Sequence, residues 1–210
     1  MEQYTEIISL IALVFGASWA SGINLYATIL TLGLMNNTGY IDLPEQLTLI
    51  SDPIVLLAAG GMFVAEFIID KVPGADNAWD SIHSFIRIPF GAYMAFGVAG
   101  EQGVALATAA AIVGGGLTAA THATKSGTRI LANTSPEPFS NWFLSISEDI
   151  AVFLGLWAAV SNPVFFLVLF VVFICLMIWI LPKVFRGVSK IFSSLFRIGF
   201  KNNEPESEKI

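Results

Sequence analysis

Charge is scarce in this chain. Only 12% of its 210 residues are Asp, Glu, Lys or Arg, against roughly 25% in an ordinary soluble domain. Cysteine is scarcer: the single Cys175 lies in an unbroken apolar run, which excludes a disulfide framework and a cysteine metal cluster. There are two histidines, and no His-Glu-x-x-His, Walker loop, dinucleotide fingerprint or Ser/His/Asp motif. No enzyme activity and no cofactor is therefore expected. Lys and Arg are also missing ahead of the first apolar run, which opens behind Glu2 and Glu6. A secretory signal carries positive charge there, so Ala17-Ser18-Trp19-Ala20 belongs to a permanent span and not to a cleavage site.

What the chain has in quantity is apolar side chain, 55% of all residues, with a mean hydropathy of +0.74. A monomer of this size cannot hide that much apolar surface from water, so a bilayer is its natural solvent. Soluble enzymes, secreted disulfide scaffolds and nucleic-acid binders are excluded together. Windows of about 20 apolar residues fall at 7–35, 54–72, 85–100, 103–124, 141–161 and 163–182. The fold class is all-α, a polytopic membrane protein of about six transmembrane helices. The first window is too long for one straight span, since 29 residues at ~1.5 Å each give roughly 43 Å against a ~30 Å hydrocarbon core. Two glycines and two serines between Gly16 and Gly22 mark the expected break. Residues 76–100 read as a polar helix feeding an apolar one, with Pro89 and Gly91 at a kink.

The net charge of −6 divides unevenly. Residues 1–182 hold 13 acids and 4 bases, whereas residues 183–210 hold 3 acids and 6 bases. Lys71 stands at the end of the second window, Lys125 and Arg129 end the fourth, and Lys183 onward follow the sixth. The positive-inside rule then predicts both termini in the cytoplasm. Residues 183–201 alternate bases and apolar residues at helical spacing, which predicts an amphipathic helix on the inner leaflet, with Arg186, Lys190, Arg197 and Lys201 facing anionic headgroups. The polar tail 202–210 is expected to be disordered. The transmembrane domain accordingly runs over 1–182.

Sliding the chain by 100 residues places Gly16 on Gly116, Ser18 on Thr118, Ala20 on Ala120, Ser21 on Thr121 and Thr28 on Thr128. At an offset of 96, Ser51-Asp52 falls on Ser147-Glu148. Two halves of three spans, about 7–100 and 103–182, would then form a 3+3 inverted repeat, an architecture of many secondary transporters. A competing offset of 110 places Ser51-Asp52-Pro53 over Ser161-Asn162-Pro163, which pairs spans of one direction.

Charged groups at membrane depth are costly, so each needs a partner, water or a function. Asp52, and Glu148 with Asp149, read either as helix starts or as acids lining a cation path. Glu66 and Asp70 share one helix face, while Asp76, Asp80, His83 and Arg87 share another. The second set fits either a structural ion-pair network or a metal or proton site. Lys125 and Arg129, four residues apart, suit an anionic headgroup or the neutralisation of Glu148 and Asp149.

The stretches Gly22 to Thr28 (Gly-Ile-Asn-Leu-Tyr-Ala-Thr), Asp70 to Asp80 (Asp-Lys-Val-Pro-Gly-Ala-Asp-Asn-Ala-Trp-Asp), Lys125 to Arg129 and Ser145 to Asp149 together resemble a bacterial integral-membrane family catalogued as domain of unknown function 4126. The resemblance covers roughly residues 10–180 and implies a polytopic protein of the bacterial inner membrane. The expected function is a small transporter or channel for a cation or a proton-coupled solute, with a path lined by Asn24, Asp52, Glu66, Asp70, His83, Lys125, Glu148 and Asp149. The alternative is a non-transporting protein that binds lipid headgroups or a protein partner through Lys125, Arg129 and the basic helix. Six spans are few for a transporter, and Gly60-Gly61 suits packing between copies, so a homo-oligomer is expected.

Overall fold

A computed structural model describes residues 2–134 and 139–201. The helices are α1 (Glu2–Ile23), α2 (Leu25–Asn37), α3 (Pro53–Ile69), α4 (Ala75–Val98), α5 (Val104–Ala132), α6 (Phe139–Ser161) and α7 (Pro163–Lys201). A 3-10 turn at Glu45–Ser51 precedes α3. Among the described residues the secondary structure is helical throughout, as the sequence predicts. Four segments are long and apolar enough to cross a membrane: Gln3–Ile23, Val104–Ala132, Phe139–Ser161 and Pro163–Ile191. A fifth is the bent pair Glu45–Ser51 and Pro53–Ile69, at 61°. The helix α4 is not apolar enough to qualify and α2 is too short, so four or five candidate spans stand among the described residues, against the six expected.

The long first window does break, but at Asn24 and not within Gly16–Gly22. Asn24 is extended (φ −145°, ψ 102°), and its side-chain oxygen accepts from Ala27 N to cap α2. The small residues before it serve close packing instead of flexibility. Ser18 and Ser21 return their hydroxyl protons to the Val14 and Ala17 carbonyls, each at 2.7 Å, so neither leaves an unpaired group in the interior. Gly16 abuts Ala159, and Gly22 abuts the Thr118 carbonyl.

The chain reverses at Asn24. Residues 24, 16 and 40 sit beside residues 149, 159 and 161 of α6: Asn24 bonds Asp149, Gly16 abuts Ala159, and Tyr40 Oη lies 2.8 Å from Ser161 Oγ. Both legs thus run along the same length of α6, and α1 and α2 form a V with Asn24 at its point. The return leg pairs antiparallel with α3, with Leu30 near Gly60 and Asn37 bonded to the Ser51 carbonyl.

The helices α1, α5 and α7 are parallel. Phe15 stacks on Phe170 and Trp19 meets Phe173; Thr118 donates to the Ser18 carbonyl; Gly127 faces Val184 and Leu131 faces Gly187. Two expectations change as a result. The start of α1 and the end of α7 lie at opposite ends of the bundle, so the packing does not place both termini on one face. The segments matched at an offset of 100, in α1 and α5, run in the same direction and touch, whereas inverted copies would run oppositely. The offset of 110 has a local cause, because Asp52 and Asn162 each cap the helix that a following proline opens, a standard start.

Residues 163–201 form one continuous helix through Pro182, so the basic stretch 183–201 continues the preceding helix without a break. The tail 202–210 and the side chains of Arg197 and Lys201 lie outside the described residues. Gly61, expected at an interface between copies, has no neighbour within 4 Å in this chain.

A Cβ at Gly22 would lie 2.7 Å from the Thr118 carbonyl and 2.8 Å from Thr121 Cβ. Backbone cannot swing aside as a side chain can. Gly22→Ala is expected to lower stability by about 1–3 kcal/mol, read from thermal unfolding in detergent. Gly61→Ala should leave the melting temperature unchanged or slightly raised.

Candidate functional site

The break at Asn24 leaves the Ile23 carbonyl without its helical partner, and an orphan carbonyl at a helix C-terminus attracts cations. Two reach it: Lys125 Nζ from α5 at 2.8 Å and Arg87 Nη1 from α4 at 3.0 Å. Both are buried, so each also requires negative charge. Glu66 of α3 supplies it to both, with Oε1 2.5 Å from Arg87 Nη2 and 3.0 Å from Lys125 Nζ. Asp80 of α4 adds Oδ1 at 3.4 Å from Arg87 and 3.9 Å from Lys125. One turn further along α5, Arg129 donates to Asp70 Oδ2 at 2.8 Å and to Glu148 Oε2. Lys125 stands 3.5 Å from Asp70 and 3.8 Å from Glu148, and so joins both groups. Five helices thus contribute to one network.

The periodicity of α4 explains its share. Asp76, Asp80, His83 and Arg87 all fall on its buried face, as their spacing predicts, but they do not converge on one point. Asp76 fixes the turn, accepting from Gly74 N at 2.8 Å and from Asn133 Nδ2 at 3.0 Å. Gly74 has φ +88°, which glycine adopts without the strain a side chain would bring. His83 stacks on Trp79 at 4.0 Å between ring centres and meets Tyr26 edge-on. Asp80 and Arg87 join the network. Among the described residues no three His, Cys, Asp or Glu side chains are grouped as metal ligands, so the metal alternative for Asp76, Asp80 and His83 does not fit, and the ion-pair alternative does for Asp80 with Arg87.

Of the predicted path residues, Asn24, Glu66, Asp70, Lys125, Glu148 and Asp149 come together. His83 lies one turn away, and Asp52 stands at the opposite end, exposed, capping α3 through Ile54 N at 2.7 Å. Lys125 and Arg129 are buried on carboxylates, which removes them from contact with lipid headgroups. Arg186 and Lys190 are exposed on α7 and keep that option.

His122 carries no role in the sequence reading, yet it is buried beside the network. Its Nε2 lies 2.6 Å from Ser84 Oγ and 3.2 Å from the Asp80 carbonyl, and Nδ1 lies 3.4 Å from Arg87 Nη1. Arg87 has only protons to offer, so Nδ1 accepts and Nε2 carries the hydrogen. The signal was there in its position one helical turn before Lys125 and Ser126. Asn133 and Asn141 were likewise missed; they link the α5 end to α6 by a hydrogen bond between their amides.

Carboxylates outnumber cations. Glu66, Asp70, Asp80 and Glu148 share Arg87, Lys125 and Arg129, and Asp149 stands beside them on Asn24 Nδ2 at 2.9 Å. Asp70, just past the apolar stretch of α3, shows the imbalance: burial pushes its carboxyl up to about 6 against the opposing pull of Lys125 and Arg129. Glu66 Oε2, Asp70 Oδ1 and Asp149 Oδ2 have no hydrogen-bond partner among the described residues.

Removing one member of a buried ion pair strands the other. Arg87→Met is expected to cost about 3–5 kcal/mol, seen as a loss of folded protein on denaturant titration in detergent. Arg186→Met, at an exposed position, should stay within about 0.5 kcal/mol of the parent.

A family model described as Domain of unknown function (DUF4126) matches residues 11–183, a stretch that contains every member of the network. No curated protein and no solved structure matches the chain.

Proposed function

The chain belongs to the family described as Domain of unknown function (DUF4126), and on that footing we propose that it is a small transporter or channel that moves a cation or a proton-coupled solute. The observation that carries this proposal is the interrupted helix at Asn24, whose freed Ile23 carbonyl faces a buried network with more carboxylates than cations. Interrupted helices that bring backbone carbonyls and acids together inside a membrane bundle are how many transporters hold ions. The path proposed from the sequence is narrowed accordingly to Asn24, Glu66, Asp70, Lys125, Glu148 and Asp149, and Asp52 and His83 leave it.

Orientation follows from the same charges. The Lys and Arg residues of the described helices gather at the end where α1 and α3 finish, while exposed Asp42, Glu45, Asp52 and Glu101 lie at the other. By the positive-inside rule the basic end is cytoplasmic, which sets the start of α1 on the far side of a bacterial inner membrane. A second reading, contact with anionic lipid, is favoured by Lys183, Arg186 and Lys190, exposed on α7.

Flux from proteoliposomes over a panel of cations, protons and small solutes tests the transport proposal. Glu148→Gln is expected to reduce flux at least about tenfold, the effect of ~1.4 kcal/mol on a barrier, and Asp52→Asn to leave it unchanged. A panel in which nothing moves, or a Glu148→Gln protein that matches the parent throughout, overturns it.

A further inference from the structure

Four of the five carboxylates at this site have a cation within 4 Å: Glu66 with Arg87 and Lys125, Asp70 with Lys125 and Arg129, Asp80 with Arg87 and Lys125, and Glu148 with Arg129 and Lys125. Asp149 is the exception among the described residues. It is 7% exposed, Oδ1 accepts from Asn24 Nδ2 at 2.9 Å, and Oδ2 has no partner. A buried carboxylate with one neutral donor and no cation is poorly compensated for its lost hydration, and taking up a proton is the ordinary remedy.

The groups facing it set the balance. Glu148 adjoins it on α6, Glu66 and Lys71 approach from α3 and the turn after it, Lys125 from α5, and the Asn24 amide from the α1–α2 break. The acids favour a proton on Asp149, and Lys125 and Lys71 oppose it from beyond 4 Å. Lys71 lies over the Phe67 ring, donates to the Phe67 carbonyl at 2.8 Å, and reaches Ser145 Oγ, one turn before Asp149 on α6, at 3.4 Å, without coming within 4 Å of the Asp149 carboxylate. A metal ion fits less well, because no three acidic, His or Cys groups among the described residues are arranged as ligands.

Asn24 gives this site a connection to the fold. Its Nδ2 holds Asp149, while its Oδ1 caps the first turn of α2 at Ala27 N. One side-chain amide therefore ties the carboxyl on α6 to the point of the V. We infer that Asp149 is the proton-carrying carboxylate of this site and that Asn24, a positioning residue, passes its protonation state to the start of α2. The inference names the ion for the transport reading and rests on that reading only for the use made of the proton.

Infrared difference spectra of the full chain in lipid nanodiscs, recorded as the pH is raised from neutral, test it without any flux. A protonated-carboxyl C=O band that fades as the pH rises is expected in the parent and in Asp70→Asn and Glu148→Gln, and absent in Asp149→Asn. An N–H donor favours the ionised carboxylate, so Asn24→Ala should move the midpoint up by about one pH unit, the worth of one such bond. Amide protection across residues 25–31, taken relative to the intrinsic base-catalysed exchange rate at each pH, should change with the same midpoint in the parent and show no such midpoint in Asp149→Asn. A band that persists in Asp149→Asn, or that disappears with Asp70 instead, overturns the assignment, as does exchange in α2 that ignores Asp149. The expected band with no solute flux would leave the proton site standing and sink the transport proposal alone.

Discussion

Three buried cations have to be balanced by carboxylates from other helices, and the rest of the bundle is arranged around that requirement. Lys125 alone touches the Ile23 carbonyl, Glu66, Asp70, Asp80 and Glu148. It draws α1, α3, α4 and α6 to one level of α5. In hydrocarbon no apolar driving force distinguishes one helix neighbour from another, so polar contacts and close packing decide which helices meet. Here the two act at different depths. Ionic contacts hold one end of the bundle, and small residues let the helices close over the remaining length.

The V at Asn24 depends on both. Gly22 brings α1 against the α5 backbone at Thr118, and that approach puts the Ile23 carbonyl within reach of Lys125 about two helical turns on. Without the break the carbonyl would be spent inside a continuous helix. Without the cations an orphaned carbonyl and an extended residue would sit in the interior uncompensated. The sharp reversal and the charged network therefore stabilise one another, and neither is explained by local propensity alone.

How much of this was legible in the sequence follows from the range of the interactions. Helix faces were legible, since spacing within one element fixes which residues share a side; the buried row from Asp76 to Arg87 is the clearest case. Which of those residues meet was not, because Asp80 and Arg87 reach the network while Asp76 and His83 are retained by the turn and by Trp79. The break was misplaced by a few residues because glycine and serine weaken a soluble helix, whereas in a membrane bundle they are packing surfaces. Asn24 itself carried the better signal as an N-cap. The small-residue match between α1 and α5 does not require an inverted repeat, because the two helices are parallel and touch, and closely packed helices need small residues where they meet. Lys125 and Arg129 looked like headgroup anchors because their carboxylate partners are 45 or more residues away, on α3, the turn after it and α4, or on the next helix.

Exposed Asp42, Glu45, Asp52 and Glu101 at one end and exposed Lys183, Arg186 and Lys190 at the other give the surface of the bundle a charge difference along its length. Moving a unit charge across a membrane potential is worth about 2.3 kcal/mol per 100 mV. In the proposed orientation these exposed bases face the negative side, and an inverted copy would oppose the potential at each of those surface charges. In the orientation proposed above, an energised membrane would favour that insertion direction over the inverted one.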